Sequence, residues 1–245
     1  MRIEIWSDVV CPWCYVGKRR FERALAAFAH RDDVEVVYRS FELDPRAPEQ
    51  GTESVVEALG RKYGGGPAAG RQMVDQMTDV AAQEGLTFDF AGAAHTRTLD
   101  AHRLLHLALA EGGPELQGRL KEALLRTYFT EGRSLGDHHV LRAVAAANGL
   151  EPARVEEVLR SEEYGDDVRA DLEQARDYGI SGVPFYVFDG RFGVSGAQPT
   201  EVFAQALDQA WGASRPGLRV LAGGTDGTDG TDGADESCGP DGCEI

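Results

Sequence analysis

Ser7-Asp8-Val9-Val10-Cys11-Pro12-Trp13-Cys14 is the stretch that decides this chain. Before it runs Arg2 to Ser7, a strand pattern with Ile3 and Ile5 on one face and Glu4 on the other. After it runs Tyr15 to Ala29, with Phe21, Leu25 and Phe28 at helical spacing. A Cys-x-x-Cys pair therefore sits at the mouth of a helix. The unpaired N–H groups and partial positive charge there stabilise a thiolate over a thiol, and the thiolate is the nucleophile of disulfide exchange. Pro12 falls near the first helical position, where a missing N–H is tolerated. Cys11, at the open end, is the expected attacking thiol. Cys14, one turn in, is expected to be less exposed and to resolve the mixed disulfide. Trp13 is expected to shield Cys14 and to offer substrates an apolar contact, but it cannot stabilise a thiolate by charge. Lys18 either lends its cation to Cys11 or is a solvated surface lysine.

Zinc is the competing use of close cysteines. A structural zinc site asks for four ligands, commonly as two close pairs. The second pair here, Cys238 and Cys243, is spaced by four residues and lies in the tail. A Pro-Trp spacer running into a helix suits redox chemistry better than a zinc knuckle. A metal site and an inert buried pair stay open beside it.

Val34 to Phe41 reads as a second strand, rich in β-branched and aromatic residues. Strand, helix, strand is a βα unit and implies a parallel pair. From Glu53 to Tyr178 the pattern is helical almost throughout, broken at Gly64-Gly65-Gly66-Pro67, Gly112-Gly113-Pro114, Gly132, Gly149 and Gly165. The spacing predicts helices over 54–63, 67–84, 99–110, 115–130, 137–148, 152–161 and 166–178, with a short extended piece at 85–88. Strand character returns at 185–188, turns at Asp189-Gly190 and continues over 191–195, a hairpin by its turn signal. A closing helix is predicted over 200–211 with Thr200 as N-cap. The expected organisation is α/β: one domain from 1–52 and 179–212, an inserted helical domain over 53–178, and a flexible Gly/Asp-rich tail over 213–245. Thr-Asp-Gly repeats three times within 225–233, too polar to fold alone.

The bulk composition narrows the partners. At 245 residues the chain can bury a real core. Its net charge of -16 argues against nucleic acid or an anionic membrane as partner. No apolar run approaches the ~20 residues needed to span a bilayer. Met1-Arg2 leads straight into a strand pattern with no leader signature, so the expectation is a cytoplasmic protein with transient, catalytic disulfides. Three lysines against 22 arginines suggest a GC-rich, bacterial source.

A βα…ββα frame with Cys-x-x-Cys at its first helix and a helical insertion resembles the thioredoxin superfamily, specifically its DsbA-like branch. Gly179-Ile180-Ser181-Gly182-Val183-Pro184-Phe185 resembles the segment in which that family places a cis-proline opposite the dithiol. The resemblance implies a cis Val183–Pro184 bond, with the Val183 backbone pairing with a bound peptide or the tail. A trans proline opening an edge strand is the alternative. Thr98-Leu99-Asp100-Ala101-His102-Arg103-Leu104-Leu105-His106 and Val194-Ser195-Gly196-Ala197-Gln198-Pro199 resemble stretches of FrnE-like proteins, as does the opening octapeptide. That family usually has Asn-Thr where this chain has Arg97-Thr98, so no role of that Asn carries over. The same signature is similar to that of glutathione-dependent isomerases of hydroxychromene carboxylates, in which a serine stands at the position of Cys11.

The resemblance covers about residues 2–212. It implies a thiol–disulfide oxidoreductase needing no metal or organic cofactor. Its partners would be a disulfide-containing protein or small molecule and a dithiol reductant, such as a thioredoxin or a low-molecular-weight thiol. The small-molecule isomerase is the alternative. Residues expected to contact substrate are Val183, Pro184, Trp13 and His102. His102 and His106 share a helical face at metal-ligand spacing but lack a third ligand; one is expected to line the groove above the dithiol. His138-His139 beside Asp137 reads as a surface helix start. Some FrnE-like proteins resemble this chain in carrying a second, C-terminal cysteine pair. Cys238 and Cys243 are expected to exchange electrons with Cys11 and Cys14, on a tether whose r.m.s. span is roughly 25–30 Å. A bystander pair and a weak metal site are the alternatives.

Overall fold

In the computed structural model, alternation in the first strand builds a four-stranded sheet of order β2-β1-β3-β4. The structure describes residues 1–214; the tail with Cys238 and Cys243 lies outside the described residues. β1 (Arg2–Ser7) pairs parallel with β2 (Glu35–Ser40) and antiparallel with β3 (Phe185–Phe188), which turns back into β4 (Phe192–Ser195). Asp189 and Gly190 take φ of 47° and 65°, the left-handed pair that a tight hairpin turn requires. The register sets Ile3 opposite Phe188 and Ile5 opposite Tyr186. These four pack on one side against α1 (Pro12–Ala27), through Phe21, and against α8 (Thr200–Ser214), through Phe203 and Leu207. On the other side Trp6 and Val187 meet α7 (Gly165–Asp177) through Ala175, and the Trp6 indole donates to the Asp171 carbonyl at 2.9 Å.

Between β2 and β3 lies the helical block: α2 (Val55–Tyr63), α3 (Gly66–Gln83), α4 (Leu99–Phe129), α5 (His138–Ala147), α6 (Pro152–Arg160) and α7. It has its own apolar core, which also takes in Val9, Tyr15 and Val16 from the dithiol loop and α1. α4 breaks at Gly112 and Gly113, and Pro114 opens its second half. The predicted pair of helices is thus present, its two halves separated by non-helical backbone at Gly112 and Gly113. α2 and α3 form a tight hairpin in which a Cβ on Gly70 would fall 2.0 Å from the Val56 carbonyl oxygen. Ser54 and Glu57 cap α2 reciprocally.

Two local expectations are corrected. Residues 85–88 form no strand: Gly85, at φ 76°, closes α3, and the Leu86 N–H bonds back to the Ala81 carbonyl. Thr200 is the first helical residue rather than the cap, because the Pro199 carbonyl takes the opening bonds from Val202 and Phe203. Among the described residues no helix is long and apolar enough to cross a membrane.

Candidate functional site

β1 ends against the N-terminus of α1, and that junction positions the dithiol. Cys11 is the N-cap, with extended φ of -91° and ψ of 114°, and Pro12 enters the first turn. The Cys14 N–H donates to the Cys11 carbonyl at 3.0 Å, and the Cys11 N–H reaches the Asp8 carbonyl at 3.4 Å. Both cysteines are free thiols, 4% and 2% exposed. The Cys11 thiol donates to the Val183 carbonyl at 3.6 Å. The Val183–Pro184 bond is cis, and the Pro184 carbonyl accepts from the Gly196 N–H at 2.8 Å.

A cavity of about 1080 Å³ opens beside this junction. Cys11, Trp13 and Val183 line its near side, and Leu59 and Met77 of the α2–α3 hairpin line its far wall. Arg46 and Arg61 add cations to the lining. Cys11 borders the cavity and Cys14 does not. Trp13, 44% exposed, stands at the mouth.

The polar groups beneath the dithiol come from three parts of the chain. Asp8 is buried and accepts from the N–H of Val9 at 2.7 Å and of Leu43 at 2.8 Å. His102 of α4 lies 3.3 Å from its Oδ1. The Asp8 carboxyl is lowered from its ordinary value: burial works against ionisation, but the His102 hydrogen bond and charge and the Leu43 N–H outweigh it. His102 therefore carries its proton on Nε2. It is 1% exposed and does not line the cavity, so the expected groove-lining role is corrected: its ring turns inward to the buried Asp8 carboxylate. His106 is buried elsewhere, 3.0 Å from Asp171 and 3.1 Å from the Ser40 hydroxyl. The two histidines answer to different carboxylates and form no ligand pair. His138 opens α5 behind its cap Asp137 and bonds Asp100 at 2.7 Å.

Lys18 is buried rather than solvated, paired with Glu22 at 2.5 Å and Glu122 at 2.6 Å. The cation facing the dithiol is instead Lys121 of α4. It is 0% exposed, donates to the Ser7 carbonyl at 3.2 Å and lies 5.6 Å from the centre of the Tyr38 ring. Burial pulls its pKa down to about 8 against the support of Cys14 and Asp8. Burial pushes the Cys14 thiol up, yet the bond from the Cys11 thiol, the Lys121 charge, the Ser7 hydroxyl and the Asp8 N–H bring it below its ordinary value. Cys11 moves the opposite way: the hydrogen bond it shares with Cys14 and its own burial raise it well above a normal thiol. Of the two thiols Cys14 is therefore the easier to ionise, whereas the helix N-terminus alone favours Cys11. Asp8, Ser7 and Lys121 were not singled out from the sequence. One signal was available: Gln117, Lys121 and Leu125 recur at four-residue spacing on the apolar stripe of α4, an unusual place for a lysine.

A family model of the DsbA-like thioredoxin domain matches residues 2–208. The chain is 29% identical over 210 residues to the uncharacterized protein YwbO of Bacillus subtilis (strain 168), covering 84% of this chain and 96% of YwbO. It is 46% identical to the probable DsbA oxidoreductase SCO1869 of Streptomyces coelicolor, whose crystal structure superposes with a TM-score of 0.82 over 100% of this chain and 99% of that one. A 2-hydroxychromene-2-carboxylate isomerase, 13% identical, shares the fold with a TM-score of 0.63 over 87% of this chain and 98% of its own. A mixed four-stranded sheet, a helical insertion and this match over nearly all the described residues place the chain in the DsbA-like thioredoxin domain family.

Proposed function

We propose that this chain is a thiol–disulfide oxidoreductase of the FrnE type, with Cys11 as attacking and Cys14 as resolving thiol. The observation that carries the reading is two free thiols at the N-terminus of α1, with Cys11 alone of the pair facing the cavity and the cis Val183–Pro184 bond beside it. Cys11 passes its proton to Cys14 as its sulfur attacks a substrate disulfide. The first substrate thiol leaves, and Cys14, ionised again, displaces the second. Trp13, Val183 and Pro184 hold the substrate. A cytoplasmic dithiol or low-molecular-weight thiol then restores the pair, and the cycle needs no metal or organic cofactor. The domains divide as 1–52 with 179–212, and 53–178 inserted. In this reading Cys238 and Cys243, outside the described residues, relay electrons to or from the Cys11–Cys14 pair.

The test is turnover of insulin and of a small aromatic disulfide. Cys11→Ser is expected to lose at least ~100-fold in rate, and Cys14→Ser to accumulate the Cys11 mixed disulfide seen by intact mass. Undiminished turnover in Cys11→Ser removes the reading. The cavity volume favours one second reading, a glutathione-dependent isomerase of small molecules. That activity would survive Cys14→Ser and require added glutathione.

A further inference from the structure

Lys121 poses a problem of charge. Ammonium groups are almost never fully buried unless paired, and among the described residues no carboxylate oxygen comes within ion-pair distance of its Nζ. Asp8, the closest acid in electrostatic effect, already serves the N–H groups of Val9 and Leu43 and the His102 ring. On α1, Lys18 is neutralised by Glu22 and Glu122 and only repels. From β2 comes the Tyr38 ring, a weak partner for a cation. Among the described residues the one hydrogen bond of Nζ goes to the Ser7 carbonyl, at 3.2 Å, and the hydroxyl of that same Ser7 favours the Cys14 thiolate. The anion left to balance the ammonium is sulfur.

We propose that Lys121 is the counter-ion of the Cys14 thiolate, a positioning residue that keeps Cys14 ionised for the step that breaks the mixed disulfide. The proposal rests on the oxidoreductase reading. In that step the Cys14 thiolate forms the Sγ–Sγ bond to Cys11 as the bond from Cys11 to the substrate sulfur breaks. Two electrons leave the dithiol with the substrate, whose second sulfur departs as a thiolate. Lys121, now beside a neutral disulfide, gives its proton to that thiolate and becomes a neutral amine. The insertion thus supplies α4 as more than a wall: it brings a redox-coupled proton to a sheet whose own strands offer no cation there. Because Lys121 stabilises the thiolate, it favours the dithiol over the disulfide.

The experiment uses the full chain and its Lys121→Met variant. In the folded variant, the first thiol ionisation, followed by thiolate ultraviolet absorbance, is expected to rise by about one pH unit or more. The equilibrium with the glutathione couple is expected to move toward the Cys11–Cys14 disulfide by about tenfold or more. A folded variant with both quantities unchanged overturns the proposal. Should Lys121→Met not fold, the wild type decides through 13Cε lysine NMR, made readable by only three lysines. A Lys121 midpoint at least about one pH unit lower in the disulfide than in the dithiol state is expected; equal midpoints overturn the assignment. None of these readouts needs a substrate, so a failure of the turnover test in Cys11→Ser remains separate from a failure here.

Discussion

Asp8 holds the dithiol loop from below with both carboxylate oxygens. One side chain serves two backbone N–H groups, from Val9 and Leu43, and one imidazole, all in a buried setting. Hydrogen bonds to a charged acceptor contribute about 1.5–3 kcal/mol each, and an orphaned buried donor costs about 1–3 kcal/mol. Asp8→Asn keeps one acceptor oxygen and turns an NH2 toward a donor. Urea unfolding is expected to show a loss of about 2–3 kcal/mol, with the m-value retained. A loss under about 0.5 kcal/mol, the size of a neutral surface substitution, contradicts this account of the loop. Ser7-Asp8 stood in plain view beside the cysteines, but composition does not say where a carboxylate points. That depends on Leu43 and His102, which approach only after the chain has folded through β2 and α4. The positions of Cys11, Pro12 and Trp13 were legible because they are local: strand end, helix start and capping chemistry fix them. The charge of the pair was not, since it also depends on burial and on Lys121, more than a hundred residues away.

The elements were legible wherever a local signal marks an end. Period two gave β1, β-branched and aromatic composition gave β2 to within a residue, Asp189-Gly190 gave the hairpin, and Gly112-Gly113-Pro114 marked the break inside α4. What failed were the fine ends, at Gly85 and Thr200, where the partner of a backbone group decides and not the side-chain pattern. How α1 and α4 are joined was invisible for the same reason. Glu122 of α4 accepts from the Tyr15 hydroxyl of α1 at 2.8 Å, pairs with Lys18 at 2.6 Å and is bonded by Arg19. Burial opposes its ionisation, but the Arg19 hydrogen bond and the Lys18 charge bring it down to about 2. A carboxyl depressed in the folded state contributes stability that is complete above its unfolded pKa and is lost as pH falls through the folded one. The Glu122 share is therefore whole above about pH 4.5 and disappears between there and about pH 2. Thermal unfolding from pH 6 to pH 2.5 is expected to show a shallower fall in Tm for Glu122→Gln than for the wild type. Parallel curves mean that this joint contributes nothing to acid sensitivity.

At the scale of the whole molecule, contacts gather the described residues, 1–214, into one unit. That unit closes on itself at its end: the Ser214 hydroxyl donates to the Asp189 carboxylate at 2.6 Å, and Arg191 donates to the Ala213 carbonyl at 3.0 Å. All three of its apolar clusters, one on each face of the sheet and one in the helical block, are built from residues before 214. A chain ending at Ser214 therefore carries every described contact of the fold and of the dithiol. Its Tm is expected to stay within about 3 °C of the full chain, the shift that about 1 kcal/mol produces at this size. Redox behaviour is the informative contrast, because Cys238 and Cys243 are the only chemistry removed besides charge. If they exchange electrons with Cys11 and Cys14, glutathione titration of the full chain consumes two dithiol equivalents, and the apparent Cys11–Cys14 potential shifts on truncation. Replacing Cys238 and Cys243 by serine in the full chain is expected to reproduce that shift without removing the acidic residues. A shift that follows truncation but not the serine pair belongs to the tail's charge, and the relay proposed for those two thiols fails.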